Sequence, residues 1–193
     1  MEKTDRRVRK TKAQLRSGLA KLLQTKSINE ISVKELVDLV DINRSTFYLH
    51  YTDIYNMLEE IEKNIMDEVK RAIATHPIGF KENTFPFIED IFYILLENKE
   101  ICSALLGPNG DISFAHKIES IISEHSIQAL EPMFPNAAED LEYSFSFCLY
   151  GSVGLVKTWL TKNNSDSPEH MAKLIYDMVT NAMKTFSQDK TGK

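Results

Sequence analysis

Two helix-start signals lie close together near the N-terminus, at Ser32 and Asn43. Ser32 is followed three residues later by Glu35, so the Ser32 hydroxyl can accept from the Glu35 amide while the Glu35 carboxylate accepts from the Ser32 amide. Asn43 is an equally favourable cap for a second helix, and only Asp41 and Ile42 separate it from the first. Two short helices joined by so tight a connection cannot lie antiparallel and must cross steeply.

A leucine-rich helix precedes this pair and offers it a surface to pack on. Its leucines recur at helical spacing: Leu15, Leu19, Leu22 and Leu23. Thr11, with Gln14 three residues on, is the predicted capping box that begins this helix, which leaves residues 1–10 as a basic arm. The apolar residues of the pair are predicted to face the leucines: Leu36, Leu39, Val40, Ile42 and Phe47. The three segments together predict a three-helix module of the helix-turn-helix type.

The rest of the chain is also predicted to be helical. Asp53 caps a long helix that continues to about residue 75, and no convincing strand alternation appears. Clusters of Pro, Gly and Asn then divide the chain into further helical segments, at residues 85–97, 99–106, 113–130, 137–161 and 168–187. We therefore predict an all-α protein with an N-terminal helix-turn-helix domain (residues 1–53), joined by the long helix to an all-helical C-terminal domain (residues 54–193).

The two parts of the chain carry charges of opposite sign. Residues 1–50 hold eleven Lys or Arg against six Asp or Glu, a net charge of +5, whereas residues 51–193 hold twelve against twenty-two, a net charge of −10. A basic module on an acidic body indicates a polyanion-binding head. The sequence contains no apolar run long enough to span a membrane and no secretory signal, so we expect a cytoplasmic protein without a membrane partner.

Patterns typical of enzymes, metal sites and cofactor sites are missing from the sequence. The histidines lack the spacing of metal ligands, and there is no Gly-rich phosphate loop or GxSxG motif. His116 and Glu119 lie one helical turn apart, which predicts a solvated pair. Cys102 and Cys148 are predicted to be buried free thiols. We therefore predict no catalytic residue, no metal and no cofactor.

The second helix of a helix-turn-helix lies in the major groove of DNA. Here Arg44 can reach guanine, Ser45 or Thr46 can touch bases or phosphate, and the tyrosines and histidine that follow can reach the backbone. An alternative is purely structural, with Asn43 capping the helix and the aromatic residues filling a core. The predicted DNA-binding residues are Lys34, Asn43, Arg44, Ser45, Thr46, Tyr48, Leu49, His50 and Tyr51.

These residues also carry a resemblance to a known family. The segments Ile31-Ser32-Val33 and Asn43-Arg44-Ser45-Thr46-Phe47-Tyr48-Leu49-His50-Tyr51 resemble the DNA-binding domain of the tetracycline-repressor (TetR) family, and the likeness covers residues 11–58. It implies an all-helical homodimer with a divergent C-terminal ligand-binding domain, and usually repression that a small molecule relieves. Residues 150–160 are similar to a C-terminal domain type common in regulators of low-GC Gram-positive bacteria.

The chain departs from the family pattern at two positions. Asp41 stands where the turn normally has Gly, so Asp41 must adopt the turn conformation itself, and Asp tolerates positive φ better than most residues. Ile54 stands where the family commonly has a phosphate-binding Lys. We expect cations of the basic arm to compensate through a salt-sensitive contact with DNA: Arg6, Arg7, Arg9, Lys10 and Lys12.

The resemblance implies two sites in the C-terminal domain. Its last two helices would form the dimer interface, through Gly151, Gly154, Leu155, Trp159, Leu174, Ile175, Met178 and Met183. A pocket for an apolar small-molecule effector would be lined by Ile61, Ile65, Phe92, Leu95, Leu96, Phe114, Ile118, Ile122 and Phe145. For the interface residues the alternative is that they only cover the subunit's own core, and the pocket residues are also what any helical core contains.

The sequence thus predicts a homodimeric repressor whose recognition helices enter successive major grooves of a pseudo-palindromic double-stranded DNA operator. The alternative is a family member that binds a partner protein as a co-activator and binds DNA weakly or not at all. Ile54 in place of Lys keeps that alternative open.

Overall fold

The structure, a computed structural model, describes residues 2–76, 85–130, 138–162 and 166–188; for residues 2–5, 112, 127–130, 138–141 and 183–188 it describes the backbone alone. Within these ranges the chain is helical without a strand, which confirms the all-α prediction. The helices are α1 (Glu2–Leu23), α2 (Val33–Leu39), α3 (Arg44–Tyr48), α4 (Ile54–Thr75), α5 (Pro86–Glu97), α6 (Lys99–Leu105), α7 (Ile112–Leu130), α8 (Ala138–Thr161) and α9 (Pro168–Gln188). A single 3₁₀ turn, Ile28–Glu30, stands between α1 and α2.

Helix α1 begins earlier than the sequence signals predict. It starts at Glu2, so Thr11 lies inside the helix and the predicted start at residue 11 is wrong. Residues 2–10 contain strong helix formers and no breaker, and the spacing of Glu2 to Arg6 and of Asp5 to Arg9 suits helical ion pairs. The basic arm is therefore the first part of α1.

Helix α2 begins as predicted, but with half of the predicted capping box. The Glu35 amide donates to the Ser32 hydroxyl at 3.1 Å. The Glu35 carboxylate accepts a hydrogen bond from Lys26 rather than from the Ser32 amide. A charge-assisted bond to an ammonium group is stronger than a bond to a neutral amide, which accounts for the difference. Closer to the N-terminus, the Glu30 carboxylate accepts from both the amide and the hydroxyl of Ser27, at 2.9 and 2.8 Å.

The connection between α2 and α3 is a left-handed turn at Asp41, with φ of 52°. The Ile42 amide donates to the Val37 carbonyl at 3.0 Å, which closes the six-residue loop that commonly ends a helix. Asn43 then caps α3, since its side-chain oxygen accepts from the Ser45 amide at 2.9 Å. The turn conformation predicted for Asp41 and the cap predicted for Asn43 are both confirmed.

By their internal contacts, residues 1–66 and 98–115 form one compact unit, which we call the head unit. Its core contains side chains of α1, α2, α3 and α4 that are at most 2% exposed: Leu15, Leu19, Leu23, Leu36, Phe47 and Met57. Leu39 was predicted to join this core but is 49% exposed. It is the last residue of α2, where the chain turns away from α1, so α2 buries Leu36 and Val37 instead.

Helix α6 belongs to the head unit because it packs on α1. Arg16 donates to the Asn98 side chain, and the Ser17 hydroxyl donates to the Glu100 carboxylate at 2.8 Å. After α6, the Asn109 side chain donates to the Gln24 carbonyl at 3.1 Å. Residues far apart in sequence thus hold the second half of α1 and the residue that follows it.

Residues 67–97 and 116–193 form the second compact unit, which we call the body unit. Helix α9 packs on α5 and α8, and the Phe85 and Tyr176 rings meet edge to face with centroids 4.9 Å apart. The Trp159 ring meets Phe92 in the same way at 5.0 Å, and its indole nitrogen donates to the Asp166 carbonyl at 2.9 Å. These units follow from packing, and the functional division at residue 53 stays a prediction.

The close approach of α1 and α2 at Gly18 gives a stability prediction. A methyl group at this position would overlap the Val40 side chain and lie 2.9 Å from the Leu36 Cδ1 atom. Overpacking typically costs about 1–3 kcal/mol, while Ala gains about 1 kcal/mol of helix propensity over Gly. We therefore expect Gly18→Ala to lower the free energy of unfolding by about 1 kcal/mol in urea titrations. In a Val40→Ala background the same change should be less destabilising, because only the close Leu36 contact remains, and an undiminished loss there would contradict the account.

Candidate nucleic-acid interface

Helix α3 presents one polar and basic face to solvent. Arg44, Ser45, Tyr48 and Leu49 are exposed and are spaced so that all four lie on the same side of the helix. Phe47, on the opposite side, is fully buried. Since the buried side is fixed by the core, the orientation of the exposed side is fixed as well.

Arg44 and Tyr48 form a pair on this face. The Arg44 guanidinium donates to the Tyr48 hydroxyl at 3.2 Å, and its central carbon lies 5.7 Å from the centre of the Tyr48 ring. The neutral phenol orients the guanidinium without cancelling its charge, and the guanidinium keeps donors for a guanine edge or a phosphate. The pair is therefore suited to contact with DNA.

Tyr51 anchors the end of α3 rather than facing solvent. Its ring is 6% exposed, and its centroid lies 5.7 Å from that of Phe47. The Lys12 ammonium lies 5.1 Å from the Tyr51 ring centre and 3.4 Å from the Glu60 carboxylate. Lys12 thus links α1 to α4, unlike the exposed arm residues Arg6 and Arg7.

Burial, with a smaller contribution from the Glu60 charge, raises the pKa of Tyr51 from 10.0 to about 12. The unfolded phenol ionises near pH 10 while the folded one stays neutral, so this contribution to stability is complete below pH 10 and is lost as the pH rises towards 12. Between pH 8 and pH 11 we expect the wild type to lose about 1 kcal/mol more unfolding free energy than Tyr51→Phe. Urea titrations at both pH values measure this, and equal losses would contradict it.

The remaining predicted contact residues surround the α3 face. Lys34 is exposed on α2, and Thr46 and His50 are half-buried. Asn43 is exposed, and its side-chain oxygen accepts from both the amide and the hydroxyl of Ser45. A DNA contact by Asn43 would therefore use its side-chain amide nitrogen.

Helix α4 starts without the cation that the resemblance leads one to expect. Ile54 is only 4% exposed, so it contributes to the core. Asp53 accepts from the Asn56 amide at 2.8 Å and the Asn56 side chain accepts from the Thr52 amide at 3.2 Å. These bonds confirm Asp53 as the predicted cap and account for the start of α4 without a bound phosphate.

The residues predicted to line an effector pocket differ in exposure. Five of them are at most 6% exposed and a sixth is 9% exposed: Ile61, Ile65, Phe92, Leu95, Phe114 and Phe145. Ile118 and Ile122 are half-buried, and Leu96 is 43% exposed. Ile61, Ile65 and Phe114 belong to the head unit and the others to the body unit. Their role in binding an effector stays a prediction.

A carboxylate that was predicted to be solvated is buried on α7. Glu119 is 9% exposed and lies 3.1 Å from the imidazole of His116, which is itself exposed. The prediction of a solvated pair is therefore wrong for Glu119. The i, i+3 spacing predicts that the two side chains meet, but it does not predict which side of α7 is buried.

The residues predicted for a dimer interface also separate into two groups. Trp159 and Ile175 are buried within their own subunit, so they offer no surface to a partner. Gly151, Gly154 and Met178 are exposed, and Leu155 and Leu174 are half-buried. Met183 lies outside the side chains that the structure describes.

Three exposed aromatic residues on α8 were not among the predicted interface residues. Tyr143, Phe147 and Tyr150 are 77%, 77% and 60% exposed. Their spacing of four and three residues places them on one side of α8, together with Gly154, where a side chain added at Gly154 would meet no atom within 4 Å. We call this side the α8 aromatic face. Its spacing was visible in the sequence, but apolar spacing alone does not tell an interface from a core.

Cys102 is buried as predicted, whereas Cys148 is half-buried, and neither forms a disulfide. Burial raises the pKa of the Cys148 thiol. Among the described residues, no cluster of three or more His, Cys, Asp or Glu side chains could hold a metal ion. None of the helices in that part of the chain is both long and apolar enough to cross a membrane.

Comparisons with known proteins place this geometry in a family. Residues 82–181, just over half of the chain, match a TetR family model described as the transcriptional regulator C-terminal region. Over 177 residues the chain is 20% identical to the uncharacterized HTH-type transcriptional regulator YxbF of Bacillus subtilis (strain 168). That match takes in 87% of the chain but only 44% of the curated relative's length.

A solved structure shares the fold. The crystal structure of a TetR transcriptional regulator from Streptococcus agalactiae 2603V aligns with a TM-score of 0.59 at 23% sequence identity, over 91% of this chain and 97% of that one. The all-helical architecture with its N-terminal helix-turn-helix is the architecture of that regulator. Since the matched C-terminal region extends over more than half of the chain, the protein belongs to the TetR family of transcriptional regulators.

Proposed function

We propose that the protein is a homodimeric repressor that binds a pseudo-palindromic DNA operator and leaves it when a small molecule binds. The observation that carries the proposal is the exposed face of α3. That face combines a cation, Arg44, with two hydroxyl-bearing side chains, Ser45 and Tyr48. The buried Phe47 on the opposite side of α3 fixes its orientation. In a helix-turn-helix such a face enters the major groove, with its N-terminal residues on base edges.

Dimerisation is supported by the α8 aromatic face. Three large aromatic side chains exposed together favour association, because contiguous apolar surface of this kind marks interaction sites. In a two-fold interface the same face of both subunits meets itself. Gly151 and Gly154 leave room for a close approach of the two α8 helices, and Met178 supplies further apolar surface from α9.

Dimerisation would set the form of the operator. Two recognition helices related by a two-fold axis require two inverted half-sites, with centres about one helical turn apart, roughly 34–36 Å, or slightly more. An effector that binds the body more tightly in a DNA-incompetent conformation would lower operator affinity by shifting the population towards that conformation. The predicted lining of aromatic and aliphatic residues favours an apolar effector.

Fluorescence anisotropy tests the proposal. The purified full chain is titrated against DNA from upstream of its own gene, against a pool of duplexes selected by the protein from random sequences, and against an unrelated duplex. We expect at least about a thousandfold preference for the specific DNA at moderate salt. If the protein instead binds all the duplexes equally, and salt abolishes this binding, the result favours the alternative of a co-activator that binds a partner protein.

A further inference from the structure

Leu49 is an exposed leucine in an unusual place. It is 79% exposed, and no other large hydrophobic side chain in the described ranges is more exposed. It lies at the C-terminal cap of α3, where its backbone amide donates to the Ser45 carbonyl at 3.2 Å. The exposed leucine is therefore held by the helix and does not belong to a frayed segment.

The core prevents Leu49 from turning inwards. Phe47 and Tyr51 occupy the buried side of this part of the chain, and a residue two positions after Phe47 points to nearly the opposite side of the helix. Rotating α3 to bury Leu49 would expose the Phe47 ring, which is 0% exposed. Exposing a fully buried Phe side chain to water is unfavourable, so the observed orientation is strongly favoured.

The surroundings of Leu49 indicate its partner. On the same side of α3 lie the Arg44 guanidinium, the Ser45 hydroxyl and the 48% exposed Tyr48 with its phenol hydroxyl, so Leu49 is the one aliphatic group of this face and stands beside polar groups and a cation. Protein-binding patches are instead contiguous apolar areas of several hundred square ångströms. A partner for this face must carry negative charge together with small, isolated apolar groups.

Duplex DNA has this chemistry. Its phosphates carry the negative charge, and the apolar group that base pairs display in the major groove is the C5 methyl of thymine. We propose that Leu49 determines operator specificity by packing on a thymine methyl in each half-site. This inference rests on the proposed function and names the base feature that one side of α3 recognises.

The test removes the methyl group alone. Each thymine of a selected operator is replaced in turn by deoxyuridine, and affinities are measured for the wild type and for Leu49→Ala. We expect each half-site to contain one thymine at which a single replacement lowers the affinity of the wild type about fourfold. This is the value for burial of one methylene-sized group. With both half-sites substituted the loss should be about fifteenfold. Leu49→Ala should bind the thymine and deoxyuridine forms of that position equally.

Leu39→Ala is the matched control, because Leu39 is also an exposed leucine of the head unit, on α2. It should keep the wild-type sensitivity to deoxyuridine. The inference is overturned if Leu49→Ala remains sensitive to deoxyuridine at every thymine to which the wild type is sensitive. It is also overturned if Leu39→Ala, and not Leu49→Ala, loses sensitivity at one of them. Selection that enriches no sequence would overturn the proposed function, and the inference with it, and this outcome is visible before any deoxyuridine is introduced.

Discussion

Arg44→Ala is expected to lower operator affinity by at least roughly thirtyfold. A bidentate contact between arginine and guanine is worth about 1–3 kcal/mol, and a homodimer makes the contact once in each half-site. The Tyr48 hydroxyl already orients the guanidinium at 3.2 Å, so little side-chain entropy remains to be lost on binding. Anisotropy titrations at fixed salt measure the loss, and they also show whether binding becomes less specific or merely weaker.

Arg71→Ala is the matched control for this experiment. Arg71 is an exposed arginine of α4, bonded through its Nε atom to the Asp67 carbonyl at 3.2 Å, and its replacement removes the same charge from the body unit. We expect Arg71→Ala to bind like the wild type and Tyr48→Phe to lose part of the affinity. If Arg44→Ala and Arg71→Ala bind equally well, the exposed face of α3 is not the DNA-binding surface.

Phe147→Glu is expected to convert the dimer to a monomer. In the proposed interface the new carboxylate would be transferred from water to an apolar contact once in each subunit, and an unpaired buried charge costs several kcal/mol. Sedimentation velocity should then give the 22.1 kDa mass of one chain in place of twice that mass. Operator affinity should fall by more than a hundredfold, because a monomer holds one half-site only.

The control adds the same charge elsewhere in the body unit. His125 is exposed on α7, so His125→Glu should remain dimeric and bind the operator normally. A wild type that sediments as a monomer, or a Phe147→Glu variant that stays dimeric, would show that the α8 aromatic face is not the interface. Thermal unfolding of both variants by circular dichroism checks that each is folded.

The sequence was sufficient for features that depend on near neighbours. The caps at Ser32, Asn43 and Asp53 and the left-handed turn at Asp41 all follow from residues within four positions of one another. Local hydrogen bonds of this kind form in any context that admits the helix. The close spacing of these signals, together with the family resemblance, identified the α3 segment as the candidate DNA-binding site.

Features that depend on distant contacts were missed or assigned wrongly. The apolar pattern of α8 could not show that Trp159 packs on Phe92 while Phe147 is exposed, because both residues suit an apolar helix face. Leu39 matched the periodicity of a core residue, but α2 ends there. The early start of α1 was missed for another reason. The prediction gave more weight to a capping pattern at Thr11 than to the helix propensity of residues 2–10.

The attachment of α6 to α1 restricts how this regulator can be re-engineered. A sensor that keeps the DNA specificity and exchanges the ligand specificity would ordinarily be built by grafting residues 1–53 onto a foreign body. That graft would place another protein's α6 against Arg16, Ser17 and Gln24, which here bind Asn98, Glu100 and Asn109. The hybrid would therefore have to keep residues 98–115 of this chain, or carry over from the donor the α1 surface that matches its own α6.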